Sequence, residues 1–436
     1  MSSENAHPRG LPYIIGNEVA ERFSYYGMKA ILVVFMTTML LDASGSPAPM
    51  SEQDATFWYH IFGMTNYFLP IFGAIAADLF LGKYRTIILL SLVYCAGHAA
   101  LAIDDTRRGL VVGLALIAIG SGGIKPCVSA HLGDQYRYHG SSRISDGYSF
   151  FYLAINIGAF FSTLLTPWLL QRYGPQVAFA LPGVFMGVAT FVFWLGRNRY
   201  VALPPTPWAE YRAAICSSDG RRVISSLAVL FVALSIFWSL FDQTGSSWVL
   251  QAERMNRRVP LLFGASIELL PSQIQACNPI LILVLTPLFT MLVYPKLNSL
   301  GLLSTKRKVI AGLLCASFSF AIIAFAQWRI VAGEVTSVGW QLLAYFVLTV
   351  SEVLVSITAL ELAYTHAPNA SKSFITSFYL LSISLGNGVT ALTTAMSAHL
   401  GHSPDTPMYF VVFSCLALFS LGPASWSFNR LKRAQG

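Results

Sequence analysis

The sequence predicts an all-α membrane protein with twelve transmembrane helices in two six-helix bundles. Three observations predict it: a low charge content, long apolar segments that recur along the whole chain, and one polar connection near the middle. Of 436 residues, 55% are apolar and 11% are charged, whereas a soluble domain carries about 25% charged residues. A soluble enzyme or a disordered chain is therefore excluded, and the short alternating strands of an outer-membrane barrel are not seen.

Twelve segments are long and apolar enough to cross a bilayer as helices. A span needs about 20 mostly apolar residues, because a helix rises about 1.5 Å per residue through a hydrocarbon layer roughly 30 Å thick. The third and fourth segments are so close that their connection must be a tight hairpin. The predicted spans are residues 11–41, 54–80, 86–105, 109–132, 146–171, 177–197, 222–252, 272–295, 306–328, 340–366, 371–400 and 405–430.

The distribution of basic residues predicts the orientation. An even number of spans places both termini on one side. If that side is the cytoplasm, most of the 28 lysines and arginines fall in cytoplasmic connections, as the positive-inside rule requires. The net charge of +8 then reflects topology, and no nucleic-acid partner is predicted.

The longest polar connection, residues 198–221, divides the chain into residues 1–197 and 222–436. It contains Pro204, Pro205 and Pro207. Each half is predicted to form a six-helix bundle, a layout typical of transporters with a site between the bundles. The six cysteines are scattered and are predicted to be packing residues, so no metal site is expected. No cleavable signal peptide is expected either.

The first span contains charges where they are costly. A charge near the bilayer centre costs about 2.5 kcal/mol or more on insertion scales, yet Glu18, Glu21, Arg22 and Lys29 stand there. Their spacing places them along one helix face, which must meet water or opposite charge. The fourth span carries Lys125 at a depth similar to that of Glu21. A contact of Lys125 with Glu21 or Glu18 is therefore geometrically possible.

Three other ionisable residues inside predicted spans are candidates for the site. Asp242 lies in the outer half of span seven, Glu352 near the middle of span ten, and His60 about two turns below the outer end of span two. His60 and Asp242 thus lie at similar depth, and a pair of them would titrate in the physiological range.

Each of these residues also has a purely structural interpretation. The charged cluster of spans one and four, or Asp242, can simply hold two helices together, and His60 can be a satisfied interfacial histidine. The aromatic residues near these charges can be ordinary packing or interface residues. They are Tyr25, Tyr26, Tyr67 and Trp248.

Motifs in both halves of the chain resemble those of one family. The first span reads Glu18-x-x-Glu21-Arg22-Phe23-x-Tyr25-Tyr26-Gly27, which is highly specific. The other matching stretches are residues 77–85, 120–126 with 133–135, 151–158, 237–252 and 351–368. Together they resemble the proton-coupled oligopeptide transporters, a family of the major facilitator superfamily.

The resemblance implies a major facilitator fold and a proton-coupled symporter that imports di- and tripeptides by alternating access. Protons would be the coupling ion, with no other cofactor. The implied proton-coupling residues are Glu18, Glu21, Arg22, Lys125, His60 and Asp242. The implied peptide-binding residues are Arg22, Tyr25, Tyr26, Lys29, Tyr67, Lys125, Asn156, Trp248, Asn278, Glu352 and Tyr379.

Within that implied set the basic residues would bind the peptide carboxylate, and Glu352 would bind its ammonium group. Asn156 and Asn278 would hydrogen-bond the peptide backbone and termini, and the aromatic residues would line side-chain pockets. His60 matches a histidine of animal members that works with an acidic residue on helix seven, the place that Asp242 occupies.

The sequence also departs from the family pattern. Lys29 stands where many bacterial members have arginine, and lysine cannot clamp a carboxylate bidentately. Tyr379 stands where tryptophan is common. The connection at residues 329–339 is too short for the outer domain of animal members. These features suggest an unusual, short bacterial member with an animal-like His60, functional as a monomer in the bacterial inner membrane.

Charge placement supports a dipolar ligand independently of the resemblance. Buried positive residues stand in the first half, whereas Glu352, an acid without an obvious local partner, stands in the second half. Two alternatives stay open: a carrier of the same fold for nitrate or an anionic metabolite, and a peptide sensor that does not transport. An enzyme is not expected, because no catalytic or phosphate-binding motif is present.

Overall fold

Helices make up nearly all of the computed structural model, which describes residues 7–138, 143–201, 203–216, 218–260, 266–366 and 372–435. The first half of the chain contains α1 (Leu11–Thr38), α2 (Glu52–Phe68), α3 (Pro70–Ala76), α4 (Lys83–Ile103), α5 (Arg107–Tyr138) and α6 (Ile144–Leu195).

The second half continues the helical pattern and adds one small hairpin. Its helices are α7 (Trp208–Cys216), α8 (Ser218–Phe241), α9 (Ser247–Glu253), α10 (Cys277–Leu288), α11 (Tyr294–Ser299), α12 (Thr305–Val331), α13 (Gly339–His366), α14 (Lys372–His399) and α15 (Pro407–Gln435). Strands β1 (Arg258–Pro260) and β2 (Ser266–Glu268) pair antiparallel, with Val259 opposite Ile267. The sequence did not predict this hairpin, because alternation over three residues is too short to stand out in a sequence. The all-α class is confirmed, since the hairpin is a short connection between helices.

The described helices coincide with the predicted spans. Spans five and six, labelled together as α6, are two helices that meet at Gly174, where the backbone leaves the helical conformation with φ of +81°. Glycine adopts that conformation without steric cost. Among the described residues, nine helical stretches are long and apolar enough to cross a bilayer, and the one that includes α6 runs for 55 residues. The count of twelve crossings and the cytoplasmic placement of both termini stay predictions.

Three of the spans are interrupted helices. Span two breaks before Pro70, which lacks an amide donor, and ends in a π-helical turn at Ala77–Leu81. Span seven passes from α8 into a 3₁₀ turn at Asp242–Gly245 before α9 begins. Span eight begins with a 3₁₀ turn at Pro271–Ala276 and ends through a π-helical turn at Phe289–Val293. Such breaks free backbone groups and redirect side chains, and Asp242 stands at one of them.

Each half of the chain builds its own hydrophobic core. One core is drawn mainly from α1 to α6 and the other mainly from α8 to α15. The two cores meet, because Val249 and Leu250 of α9 join the first core and Tyr67 of α2 packs on the second. The division of the chain into residues 1–197, 198–221 and 222–436 stays a prediction. The middle segment also contains the short helix α7.

Large apolar side chains cover the outside of the helices. Phe80, Phe419 and Met291, for example, are each more than 70% exposed. An apolar surface of this extent would be unstable in water and suits lipid.

The start of the connection between the halves is fixed to the first half. The Gln135 amide donates to the Val201 carbonyl (3.0 Å) and accepts from the Val201 amide (2.8 Å). The Thr206 amide donates to the Asp78 carbonyl (2.7 Å). A cavity of about 410 Å³ lies beneath this segment, beside the ion pair of Lys83 and Asp134. It is separate from the predicted site.

Candidate functional site

The charged cluster of α1 is one arginine between two glutamates. Arg22 Nε donates to Glu18 Oε1 at 2.6 Å and lies 3.2 Å from Glu21 Oε2. The carboxylates are almost fully buried, whereas 12% of the Arg22 side chain is exposed. A spacing of four residues brings Glu18 and Arg22 together on the helix surface, and Glu21 is the residue next to Arg22 in the chain. Two acids and one base leave the cluster one negative charge when both acids are ionised.

Lys125 is buried beside this cluster but does not pair with either glutamate. Its Nζ lies 3.7 Å from the centre of the Tyr25 ring and 4.4 Å from that of Tyr67. In the described part of the chain it has neither a carboxylate within 4 Å nor a hydrogen-bond partner. The predicted contact of Lys125 with Glu21 or Glu18 is therefore not formed in this structure. Cation–π attraction takes its place.

Lys29 pairs with a carboxylate of the opposite half. Its Nζ donates to Asp242 Oδ1 at 2.8 Å, and both side chains are less than a tenth exposed. This is an ion pair between α1 and the 3₁₀ turn after α8. Lys29 is therefore engaged with the protein, although the resemblance implies that it binds a peptide carboxylate.

His60 and Asp242 are joined through a third residue, Asn387 of α14. His60 Nδ1 donates to Asn387 Oδ1 at 2.8 Å, and Asn387 Nδ2 donates to Asp242 Oδ2 at 2.6 Å. The direct pair that the sequence predicted is replaced by this bridge. His60 Nε2 lies 2.8 Å from Ser246 Oγ, so the histidine is bound on both ring nitrogens.

The geometry around Ser246 accommodates both protonation states of His60. A neutral imidazole accepts from the Ser246 hydroxyl. A protonated one donates to it, and the hydroxyl then turns to the Gln243 carbonyl, 3.5 Å away. Since a hydroxyl both donates and accepts, the network can take up a proton without an unpaired group.

Glu352, in the second half of the chain, has no basic side chain close to it among the described residues. Its Oε2 accepts from Asn278 Nδ2 at 2.7 Å, and the same amide lies 3.2 Å from Thr349 Oγ1. Among the described residues no lysine or arginine approaches it within 4 Å. Glu352 and Asn278 are both partly exposed. Asn278, which the resemblance implies to bind a peptide, here binds the carboxylate.

The predicted aromatic residues fall into two groups: the tyrosines around the predicted site, and Trp248, which packs in the second core. Tyr25 and Tyr26 of α1 meet edge to face at 5.4 Å. The Tyr26 hydroxyl lies within electrostatic range of Arg22 on its own helix and of Glu352 on the other half. Tyr379 bonds Ser356 through its hydroxyl at 2.9 Å. Together with Tyr67, these tyrosines lie around the predicted site.

Trp248 and Asn156 differ from the implied roles in their present contacts. Trp248 is fully buried in the second core, 4.9 Å from the Tyr345 ring and 5.5 Å from the Phe320 ring. These contacts agree with the alternative interpretation of Trp248 as a packing residue. Asn156 donates to the Tyr152 carbonyl of its own helix at 2.9 Å. The implied binding roles of both residues stay predictions.

Sequence reasoning missed several polar residues of the site. Asn387 and Ser246 complete the His60 network, and Asn66 donates to the Tyr25 hydroxyl at 2.9 Å. Ser121 in turn donates to Asn66. A signal existed, because an asparagine inside an apolar span costs free energy unless it finds a partner. Asn387, between Gly386 and Gly388, stands in such a segment.

The described polar contacts between the two halves lie in the predicted outer half or near the middle. They include the pairs of Lys29 with Asp242 and His60 with Ser246. Arg254 pairs with Glu52 at 2.5 Å near the outer ends. The halves are therefore held together on the predicted outer side.

Comparison with known proteins identifies the family. A family model described as the POT family matches residues 84–214 and 209–407. The chain belongs to the POT family. This confirms the resemblance that the motifs of α1, α5 and α6 indicated.

Two animal proteins illustrate the similarity within the POT family. Peptide transporter family 1 of Drosophila melanogaster is 36% identical over 369 residues, which cover 74% of this chain and 48% of that protein. Solute carrier family 15 member 2 of Homo sapiens is 35% identical over 373 residues, covering 74% and 49%. The chain spans about half the length of the curated relatives it matches.

Solved POT structures share the fold along almost the whole chain. The crystal structure of the POT family transporter PepTSo gives a TM-score of 0.84 at 34% identity and covers 98% of this chain and 99% of that one. An auto-inhibited POT family peptide transporter gives 0.84 at 33% identity, covering 97% of both chains. The protein is thus a multi-pass membrane protein with the major facilitator fold, as predicted.

Proposed function

We propose that this POT family member is a proton-coupled symporter that imports di- and tripeptides by alternating access. The family membership and the peptide transporters among its relatives support the proposal. The charged residues of the site support it independently.

One observation carries the proposal: each half offers one charged side chain, Lys125 or Glu352, that has no oppositely charged group of the described chain within 4 Å. Lys125 in the first half contacts the Tyr25 and Tyr67 rings, and Glu352 in the second half accepts a hydrogen bond from the Asn278 amide. A zwitterionic peptide carries a carboxylate for the lysine and an ammonium group for the glutamate. Binding both termini would leave the side chains free to vary.

The coupling residues then act through exchange of partners. A peptide carboxylate that binds Lys125 and Arg22 weakens the ion pairs of Arg22 with Glu18 and Glu21. A glutamate that loses its positive partner is more easily protonated. On the outer side, a proton taken up by His60 or Asp242 weakens the contacts of Lys29, Asp242 and Asn387 that join the halves. Release of the protons to the cytoplasm resets the carrier.

The test is uptake of labelled dialanine into proteoliposomes with an imposed pH gradient. Accumulation that an ionophore abolishes is the expected result. Glu352→Gln should abolish accumulation of dialanine, because the ammonium group loses its partner. The exposed Glu334→Gln, which removes an ion pair with Arg329 at the surface, is the matched control.

The same experiment separates the alternatives. A carrier of nitrate or another anion would tolerate Glu352→Gln and would not concentrate dialanine. A peptide sensor would bind dialanine without proton flux into sealed liposomes. Either result would contradict the proposal.

We further propose that the protein works as a monomer in the bacterial inner membrane. Both halves of the site come from one chain, which supports the monomer. The short connection between α12 and α13, residues 332–338, supports the bacterial type. The predicted topology can be tested in bacteria, because a C-terminal fluorescent-protein fusion should fluoresce and a C-terminal alkaline phosphatase fusion should be inactive.

A further inference from the structure

Three polar side chains share one face of α4 inside the first bundle, and one of them contacts α1. Ser91, Tyr94 and His98 stand at spacings of three and four residues and therefore share one helix face. All three are fully buried. His98 Nε2 lies 2.8 Å from Ser24 Oγ of α1, which ties the two helices together.

The α1 and α4 helices run in the same direction, which fixes the depth of these residues. Both begin near Tyr200, which contacts Gly10 and the Tyr84 ring. Both end together, where the Leu41 amide donates to the Asp105 carbonyl. Counting from the contact of Ser24 with His98, Glu21 lies about 4.5 Å lower on α1 and Tyr94 about 6 Å lower on α4. Glu21 and Tyr94 are therefore at nearly the same level.

Several buried polar atoms along this stretch of α1 and α4, within about two helical turns, make no hydrogen bond within the described chain. They are both carboxylate oxygens of Glu21, the Tyr94 hydroxyl, the Ser91 hydroxyl and His98 Nδ1. Glu21 is the charge that acts most strongly on the Tyr94 hydroxyl. Buried polar groups without partners are rare and costly, and such groups are normally satisfied by bound water.

We propose that α1 and α4 enclose a buried water-binding site between Glu21, Tyr94, Ser91 and His98, and that Tyr94 stabilises the deprotonated Glu21 through this water. Tyr94 would be a positioning residue for the coupling proton, because it acts on Glu21 and does not touch the peptide. The role in coupling rests on the proposed function, whereas the water site does not.

The other groups around Glu21 do not take over the role of the proposed water. The charged and titratable groups near Glu21 or Tyr94 are Glu18 and Arg22 on α1, Tyr67 on α2, Cys95 and His98 on α4, and Lys125 on α5. From α6, Gly158 packs against the same turn of α1. Arg22 shares its Nε between the two glutamates, and Lys125 is held by tyrosine rings. The unpartnered hydroxyls of α4 are thus the remaining donors for Glu21.

The test is an infrared pH titration of the full-length protein in nanodiscs. The carboxylic acid band that Glu21→Gln removes is assigned to Glu21. Tyr94→Phe should move the titration midpoint of that band upward by about 1 pH unit, because a donor to the carboxylate is lost. Ser91→Ala should give a smaller shift in the same direction.

The matched control is Tyr409→Phe, which removes a buried hydroxyl that bonds Thr394 at 2.8 Å in the second core. It should leave the Glu21 midpoint unchanged. An unchanged midpoint in both Tyr94→Phe and Ser91→Ala would overturn the proposal, and Ser91→Ala decides alone if Tyr94→Phe does not fold. The readout needs no uptake, so failure of peptide transport in the wild type would refute only the proposed function.

Discussion

At the scale of single residues, the site consists of buried charges that differ in how completely they are paired. Lys29 and Asp242 form a direct ion pair, Arg22 is shared by two glutamates, and Lys125 lies against the Tyr25 and Tyr67 rings. Leaving a buried charge unpaired costs free energy, so such a charge can readily exchange one partner for another. These differences determine which residues can respond to a proton or a ligand.

Glu21→Gln should abolish concentrative uptake and leave exchange of peptide intact. A neutral amide cannot release the coupling proton, whereas binding and alternation do not need that step. The wild type should concentrate dialanine roughly fortyfold per proton at 100 mV. The measurement is gradient-driven uptake beside counterflow in the same liposomes.

Its matched control is Glu268→Gln, the same change at an exposed position of the hairpin. The assignment of Glu21 fails if its glutamine variant still concentrates dialanine down a pH gradient.

Asn387→Ala should alter the pH dependence of uptake as strongly as His60→Gln does. Asn387 bridges His60 and Asp242, so either change disconnects the histidine from the carboxylate. Hydrogen bonds to charged groups are worth about 1.5–3 kcal/mol, which corresponds to a loss in rate of about tenfold or more. The measurement is the initial rate of uptake between pH 5 and pH 8.

The double variant tests whether the two residues form one network. If they do, His60→Gln with Asn387→Ala should be no worse than either single variant. Additive losses would show that Asn387 acts apart from His60.

At the scale of helices, glycine allows the close approach that positions α3 against α5. A Cβ placed on Gly73 would lie 2.4 Å from the Cα of Gly123 and 2.6 Å from the Gly122 carbonyl. Both neighbours are backbone atoms, which cannot rotate away as a side chain can. Lys125 follows on the same helix, so this packing also positions a site residue.

Gly73→Ala should therefore lower thermal stability, at a cost of about 1–3 kcal/mol for overpacking. Gly187→Ala is the matched control, because a Cβ placed on this mid-helix glycine of α6 would meet no atom within 4 Å. That change should stabilise the protein by about 0.5–1 kcal/mol through helix propensity. Thermal unfolding in detergent measures both, and an equal effect of the two substitutions would contradict the packing argument.

At the scale of the whole molecule, the predicted outer side is closed by contacts between the two halves of the chain. The ion pair of Lys29 and Asp242 is the most deeply buried of these contacts between opposite charges. Removing one partner of a buried pair leaves the other charge unpaired and costs about 3–5 kcal/mol. That cost falls on the closed arrangement, since water can reach the remaining charge when the outer side opens.

Lys29→Gln should thus shift the protein toward outward opening. Pulsed spin-label distances between positions 44 and 335 in the outer loops, measured in a background without native cysteines, should increase. Adding Asp242→Asn should partly restore the closed distance, because no charge is then left unpaired.

Arg143→Gln is the control for a general charge effect, since it breaks an exposed pair with Asp146 at 2.7 Å. It should not change the distance. The role of Lys29 in closing the outer side is refuted if Lys29→Gln behaves in the same way.

The sequence by itself determined the class of the protein, the positions of its helices and the set of buried charges. These are local quantities: a span is read from the length of an apolar run, and a buried charge from its place within that run. The family signature of residues 18–27 is local as well.

Only the tertiary structure decided which buried groups meet. Lys29 pairs with Asp242, 213 residues away in the chain, and Asn387 separates His60 from Asp242. Lys125 lies against Tyr25 and does not reach Glu21. Partners on different helices are set by the relative rotation and depth of those helices after packing, and periodicity along one helix carries no information about either.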